Sequence, residues 1–264
     1  MVTALAGQTL RMRGRSNLIW AAALLVWAVV IVAVYPSIAN VNYAELFKAY
    51  PKELMQAFGI EDAAQYGTPI GYLNGELFSL VFPAAIVFLP LGVVNHCLPA
   101  SEERHFLDNL LCTPVARWQV VAGAAAAAAA SLAIVLVLLW AGTIVAAELI
   151  GVNLGYANYA RSCLALFPLA SLIASFGVLT AGARGGRGAT LGLAGGVLVV
   201  MYMLPVLAAF STAFEQVQKL SIFYYYGDWL SHGIVWSEFA IVLAVSAGLS
   251  ASGAWLFDRR DIAS

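Results

Sequence analysis

The chain has 264 residues, of which 62% are hydrophobic and only 10% charged, with a mean hydropathy of +0.86 and a net charge of −1. Soluble domains carry about 25% charged residues, so this composition excludes a soluble globular protein and indicates an integral membrane protein. Near neutrality also removes the electrostatic footprint that a nucleic-acid partner would require.

Along the chain, Arg11, Arg13 and Arg15 precede an apolar run from Leu18 to Val34. That run exceeds a signal-peptide core and reaches the roughly 17–20 residues needed to cross a bilayer, so it reads as a retained first span. Further runs follow, giving spans at about 17–35, 76–95, 115–147, 162–183, 189–210 and 237–257. The fold class is therefore an all-α integral membrane protein with six transmembrane helices in a single domain over residues 1–264. The third run is too long for a simple crossing and should tilt or project at its Arg117 end. Between the first two spans, Asn42-x-x-Glu45 resembles a capping box, and Pro51 and Gly59 can bound a second short helix. Two short helices packed against the outer membrane surface are expected there, as a lid over the bundle or, alternatively, as a gate for substrate. Pro83 and Pro90 should bend the second span, and Pro168 and Pro205 the fourth and fifth. Gly123 with the alanines through Ala130, and the Gly188, Gly192 and Gly196 repeat, form small-residue faces that favour helix association in lipid.

Between the second and third spans lies a charged island, Glu102 to Trp118. Its apolar residues Phe106, Leu107, Leu110 and Leu111 fall on one stripe of a helix. Ser101 can cap the start, and Glu102 and Glu103 occupy the first turn, where the dipole favours negative charge. Thr113-Pro114 then reads as a fresh cap and a first-position proline leading into the third span. A short amphipathic helix presented in this way is suited to being gripped by a partner.

The basic residues set the sidedness. Arg11, Arg13, Arg15, Arg104, Arg117, Arg184, Arg187, Arg259 and Arg260, nine in all, fall on one side, and Lys48, Lys52, Arg161 and Lys219, four in all, on the other. The nine-residue side should be cytoplasmic, with both termini inside. The aromatic residues between Phe223 and Trp236 should form a belt at the outer interface.

The absences constrain function. There is no GxxxxGK[ST] phosphate loop, and the glycine-rich run at 182–188 lacks the Lys-Ser/Thr pair. There is no HExxH or GxSxG. The acidic pair invites comparison with EExxxR proteases, but Leu107 stands where the Arg belongs. His96, His105 and His232 are dispersed, and Cys97, Cys112 and Cys163 form no CxxC. A catalytic site or bound cofactor is not expected. Glu76, Glu148 and Glu238 fall near span ends, which argues against an ion-coupled carrier and for an external energy source.

The acidic pair and the element Leu110-Leu111-Cys112-Thr113-Pro114-Val115-Ala116-Arg117-Trp118 resemble the permease subunits of type-2 ABC exporters. Weaker matches at Tyr35-Pro36-Ser37, Gly71-Tyr72-Leu73-Asn74 and Phe257 to Ile262 extend the resemblance over nearly the whole chain, although His105-Phe106 stands where many relatives carry Gly-Thr. The resemblance implies an interfacial helix at Thr3–Arg15, with Leu5, Leu10 and Met12 toward lipid. It also implies a coupling helix at 101–113. The coupling residues would be Glu102, Glu103, Arg104, Phe106, Leu107, Leu110, Leu111, Thr113, Pro114 and Arg117. The implied partners are two cytoplasmic ABC ATPase subunits that bind ATP and Mg, a second permease copy or paralogue, and membrane lipid. The implied setting is a prokaryotic plasma membrane. The expected cargo is hydrophobic or amphipathic, such as a drug, antibiotic, lipid or peptide. The alternative is a scaffold or sensor that binds a cytoplasmic partner without transport.

Overall fold

The computed structural model describes residues 2–39, 41, 45, 51, 66–103, 116–184 and 186–259. These residues form helices and no strand. Helix α1 is Val2–Ile38; α2, Pro69–Leu73, runs into a π-helical turn at Asn74–Phe78; α3, Val81–Ile86, α4, Phe88–Cys97, and α5, Pro99–Glu103, follow in one column. Beyond them come α6, Arg117–Ile150, α7, Tyr156–Arg184, α8, Arg187–Phe210, α9, Ile222–Ser231, and α10, Trp236–Arg259. Six of these stretches are long and apolar enough to span a membrane: α1, the column at 81–102, α6, α7, α8 and α10.

The second span is segmented where the prolines require it. Pro83 and Pro90 cannot donate to the carbonyls four residues earlier. The chain breaks accordingly at Leu80, with φ −138° and ψ −49°, and again around Val87 between α3 and α4. The column starts earlier than the apolar run suggests. Thr68 Oγ1 accepts a hydrogen bond from Gly71 N at 3.1 Å and Pro69 takes the first helical position. The Tyr35-Pro36-Ser37 and Gly71-Tyr72-Leu73-Asn74 segments meet here: Tyr35 and Tyr72 have ring centroids 5.8 Å apart, and the Tyr35 hydroxyl donates to Gly67 O at 2.9 Å. The expected short helices of the first outer loop fall mostly outside the described residues.

Two expectations at the start of the chain are corrected. Residues 3–15 are not a separate interfacial helix; they are the first third of α1, whose 37 residues run without a break. At 1.5 Å per residue that helix is about 55 Å long, well beyond a hydrocarbon core of about 30 Å. Leu5 does not face lipid. It packs on α6, where a Cβ added to Gly123 would lie 3.0 Å from Leu5 Cβ. Met12, by contrast, is 67% exposed.

The column, α6 and α7 form the inside of the bundle. The share of each apolar stretch that is buried is 56% for the column, 56% for α6 and 72% for α7, against 28% for α1, 11% for α8 and 17% for α10. Helix α1 packs along α6, α10 along α7, and α8 against α7 and the column. Glycines allow the closest approaches. A Cβ at Gly182 of α7 would overlap the Gly253 carbonyl of α10, and one at Gly253 would lie 2.7 Å from Val178 O. Buried polar contacts join the helices at depth: Asn17 Nδ2 donates to Ser131 Oγ at 3.1 Å, and Tyr159 OH to Thr143 Oγ1 at 3.2 Å.

Helix α8 shows how a transmembrane proline is accommodated. Pro205 leaves the Met201 carbonyl without its helical partner. The Ser221 hydroxyl donates to that carbonyl and accepts from Phe223 N at 3.1 Å, so it caps α9 as well.

Candidate functional site

One end of the bundle gathers the termini and the interhelical turns. Ala6 of α1, Val93 and Val94 of α4, Leu98, Val120, Val121 and Ala124 of α6, Val178 and Ala181 of α7 and Phe257 of α10 form a single buried cluster. The charged island emerges from this cluster at both of its ends. On the first side α4 stops at Leu98, whose φ of −106° and ψ of −80° turn the chain while its side chain is 1% exposed. On the second side the chain re-enters through Ala116, which is extended at φ −68° and ψ 140°, and Val120 and Val121 insert into the same cluster.

The local reading of the island changes at both borders. Ser101 is not a cap. The helix begins two residues earlier with Pro99 at its first position, and the Ser101 hydroxyl instead donates to the His96 carbonyl at 3.0 Å, closing the end of α4. Helix α6 starts at Arg117, with the Gln119 side chain accepting from Ala116 N at 3.2 Å. The extended Ala116 interrupts any helix begun at Pro114, so such a helix would not be continuous with the third span.

Of the residues expected to couple to a partner, Glu102 and Arg117 are half-buried at the two borders, and Glu103 ends α5. Arg104, Phe106, Leu107, Leu110, Leu111, Thr113 and Pro114 lie outside the described residues. Helix α5 also packs against α8, which begins at Arg187, so the turn between α7 and α8 belongs to the same end. Arg11, Arg13 and Arg15 are on the first third of α1, whose Ala6 lies in the cluster, and Arg259 ends α10, whose Phe257 does. Six of the nine basic residues of the larger group, Arg11, Arg13, Arg15, Arg117, Arg187 and Arg259, are thus collected at this end by the fold; Arg104 and Arg260 lie outside the described residues.

Polar groups near this end form a second feature that the charge pattern did not reveal. Arg13 Nη2 donates to Ser16 Oγ at 3.2 Å and lies opposite Gly92 of α4; Thr9 Oγ1 and Cys97 Sγ are 3.7 Å apart. One turn on, Asn17 is buried against Ser131. The signal was the stripe of Asn17, Ala21, Leu24, Ala28 and Val32, which is the buried face of α1.

The opposite end is closed by aromatic side chains. Of the aromatic residues expected at the outer interface, Phe223, Tyr226 and Trp229 of α9 are buried in the bundle, while Tyr224 and Trp236 are exposed. Phe78 meets Phe82 and Tyr159 edge to face at 5.2 and 5.7 Å, and the Tyr226 hydroxyl donates to Phe78 O at 2.9 Å. That carbonyl is at the π-helical turn, where the wider helix disrupts regular pairing. Burial raises the Tyr226 phenol well above its usual range, so it stays protonated and remains a donor. Asn74 ties the turn to its neighbours, accepting from Ser162 Oγ at 2.9 Å. Among the described residues no three His, Cys, Asp or Glu side chains converge as metal ligands.

A family model described as ABC-2 family transporter protein matches residues 3–262. No curated protein matches the chain.

Proposed function

Because the chain belongs to the ABC-2 family of transporter proteins, we propose that it is the permease of an ATP-driven exporter that moves a hydrophobic or amphipathic cargo out of the cell. As a member of that family it is a multi-pass transmembrane subunit whose ATPase activity is supplied by separate subunits. The proposal adds direction, cargo and the contact surface. Of the complex's two cytoplasmic ATPases, one seats the segment 101–113 of this chain in a groove, using the apolar stripe of Phe106, Leu107, Leu110 and Leu111 and the flanking Glu102, Glu103 and Arg117.

The observation that carries this reading is the double anchorage of the island. Leu98 before it and Val120 and Val121 after it are buried in one cluster to which α1, α4, α6, α7 and α10 contribute. A push on the segment would therefore reach five helices at once. Cores are close-packed and resist local deformation, so such a push is transmitted as movement of whole helices.

A second permease copy is expected along α8. Only 11% of its apolar stretch is buried, and a Cβ added at Gly188, Gly192, Gly195 or Gly196 would meet no atom within 4 Å. Small residues of this kind allow a second helix to approach closely in lipid. The nine-to-four basic asymmetry supports a cytoplasmic position for the island end in a prokaryotic plasma membrane.

The test is Leu110→Glu in the assembled transporter. An unpaired charge in an apolar groove costs several kcal/mol, and the position lies outside the spans. Normal insertion with weakened ATPase retention and lost transport is expected in pull-down and vesicle assays. Full ATPase binding and full transport by this variant would overturn the coupling assignment.

A further inference from the structure

A lateral groove of about 720 Å³ opens between α6 and α10, floored by α7 and α4. We propose that it is a binding site for an anionic phospholipid of the leaflet on the side of the chain's termini, with the acyl chains in the groove and the phosphate at its mouth.

The walls explain why the groove stays open. On α6 it is lined by Ala122, Ala125, Ala126 and Ala129, and on α10 by Ala247 and Ala251. The two helices approach one another, and side chains this short leave space along the line where they meet. Helix α10 is also drawn onto α7 at Gly182 and Gly253, and α6 onto α1 at Gly123.

The dimensions select the occupant. The lining runs from Trp118 to Ala129 on α6, and on α10 it reaches from Asp258 through Trp255 to Leu243. At 1.5 Å per residue the α6 wall is about 17 Å long and the α10 wall about 22 Å, enough to run through the roughly 15 Å of one leaflet of the hydrocarbon core and reach the headgroups. Walls of that length, lined by small apolar side chains, suit extended hydrocarbon chains.

Chemistry sets the orientation. Trp118 and Trp255, 51% and 54% exposed, stand at the mouth, where indoles mark the membrane–water interface. The Arg259 guanidinium lies 4.1 Å from the Trp255 ring centroid, so a cation is fixed at headgroup level. Asp258 also lines the mouth and disfavours a bare anion, but a phospholipid adds the transfer energy of its chains to the pairing of its phosphate with arginine. At depth, Ser171 Oγ is buried without a hydrogen-bond partner. A lone hydroxyl there cannot hold a headgroup, which leaves the mouth as the polar end.

The experiment uses the complete transporter in nanodiscs containing phosphatidylglycerol or phosphatidylcholine with a diazirine in the acyl chain. Photolabelling should concentrate on the peptides covering 118–129 and 243–258. Ala126→Phe fills the groove from an exposed position and should cut that labelling severalfold. Val137→Phe, on the open face of α6, should leave it unchanged. Arg259→Gln should reduce the preference for phosphatidylglycerol by about fivefold, the effect of about 1 kcal/mol for one basic residue near the surface. Monodispersity and retained ATPase binding establish that each variant is folded. Labelling that is even along α6, labelling unaffected by Ala126→Phe, or cross-linking of this groove to a helix of another subunit would each overturn the site.

Discussion

Helices α7 and α8 follow one another with only two residues between them and are equally apolar, with mean hydropathies of 2.0 and 2.2 over their spanning stretches. Yet 72% of the first is buried and 11% of the second. In water such a difference would be paradoxical, because apolar surface would drive both inward. In lipid the tails are as apolar as leucine, so hydropathy places a helix in the membrane without saying what it packs against. Packing is decided by shape and by polar contacts. The glycines of the two helices make the point. Gly177 and Gly182 of α7 are covered by Leu91 and by the Gly253 backbone, whereas Gly188, Gly192, Gly195 and Gly196 of α8 are open. Identical residues serve a contact within the chain in one helix and leave a vacant face in the other.

The comparison can be broken most severely at the crowded glycines. Gly182→Val should prevent α7 and α10 from meeting, since its Cβ would overlap backbone that cannot rotate away. The cost should lie at or above the top of the about 1–3 kcal/mol typical of overpacked cores. Loss of the monodisperse protein in detergent, or a large fall in its thermal midpoint, is the readout.

Smaller effects are expected where a polar group joins the two regions. Ser221→Ala removes the donor to the Met201 carbonyl and the cap of α9 together, costing about 1–2 kcal/mol. Hydrogen exchange should rise at the end of α8 and the start of α9 before it rises in α7. Tyr226→Phe leaves the buried Phe78 carbonyl unpaired and should cost about 1 kcal/mol. The pH dependence has a defined sign. Burial raises the folded phenol above its ordinary value of 10.0, so the neutral form is favoured. The associated stability is present below pH 10 and is lost as the pH climbs above it. Alkaline unfolding should therefore be less steep in Tyr226→Phe than in the parent.

The smallest effect on the fold is expected at the open glycines. Gly192→Leu should change the stability of the isolated chain by less than about 0.5 kcal/mol. If α8 is the face for a second copy, the same change should shift cross-linked dimer to monomer. A dimer unchanged by Gly192→Leu would move the interface elsewhere.

How much was legible follows the same division. Pro83 and Pro90 announced the segmented second span because a proline removes a donor, whereas α7 and α8 run unbroken through Pro168 and Pro205. The lengths of the apolar runs announced six crossings because bilayer thickness is a fixed ruler. Ser101 is not the cap expected of it, since its hydroxyl turns back to the His96 carbonyl. That depends on which neighbour a short polar side chain can reach. The aromatic residues of α9 were read as an interfacial belt because amphipathic rings suit that depth. Only the tertiary structure brings Phe223 onto Tyr202, the Tyr226 hydroxyl onto the Phe78 carbonyl of the π-helical turn, and Trp229 Nε1 onto Glu238.

The sequence by itself therefore determined that this protein has six helices long and apolar enough to cross the membrane, and that the second is broken. These follow from transfer into hydrocarbon and from backbone chemistry, which act on each segment alone. The tertiary structure decided that both ends of the charged island are anchored in one cluster, that α7 is interior while α8 is bare, and that a leaflet-long groove is left between α6 and α10. Those facts depend on close approach between distant residues such as Gly182 and Gly253 or Leu5 and Gly123, and no apolar pattern within one segment encodes the partner of a contact.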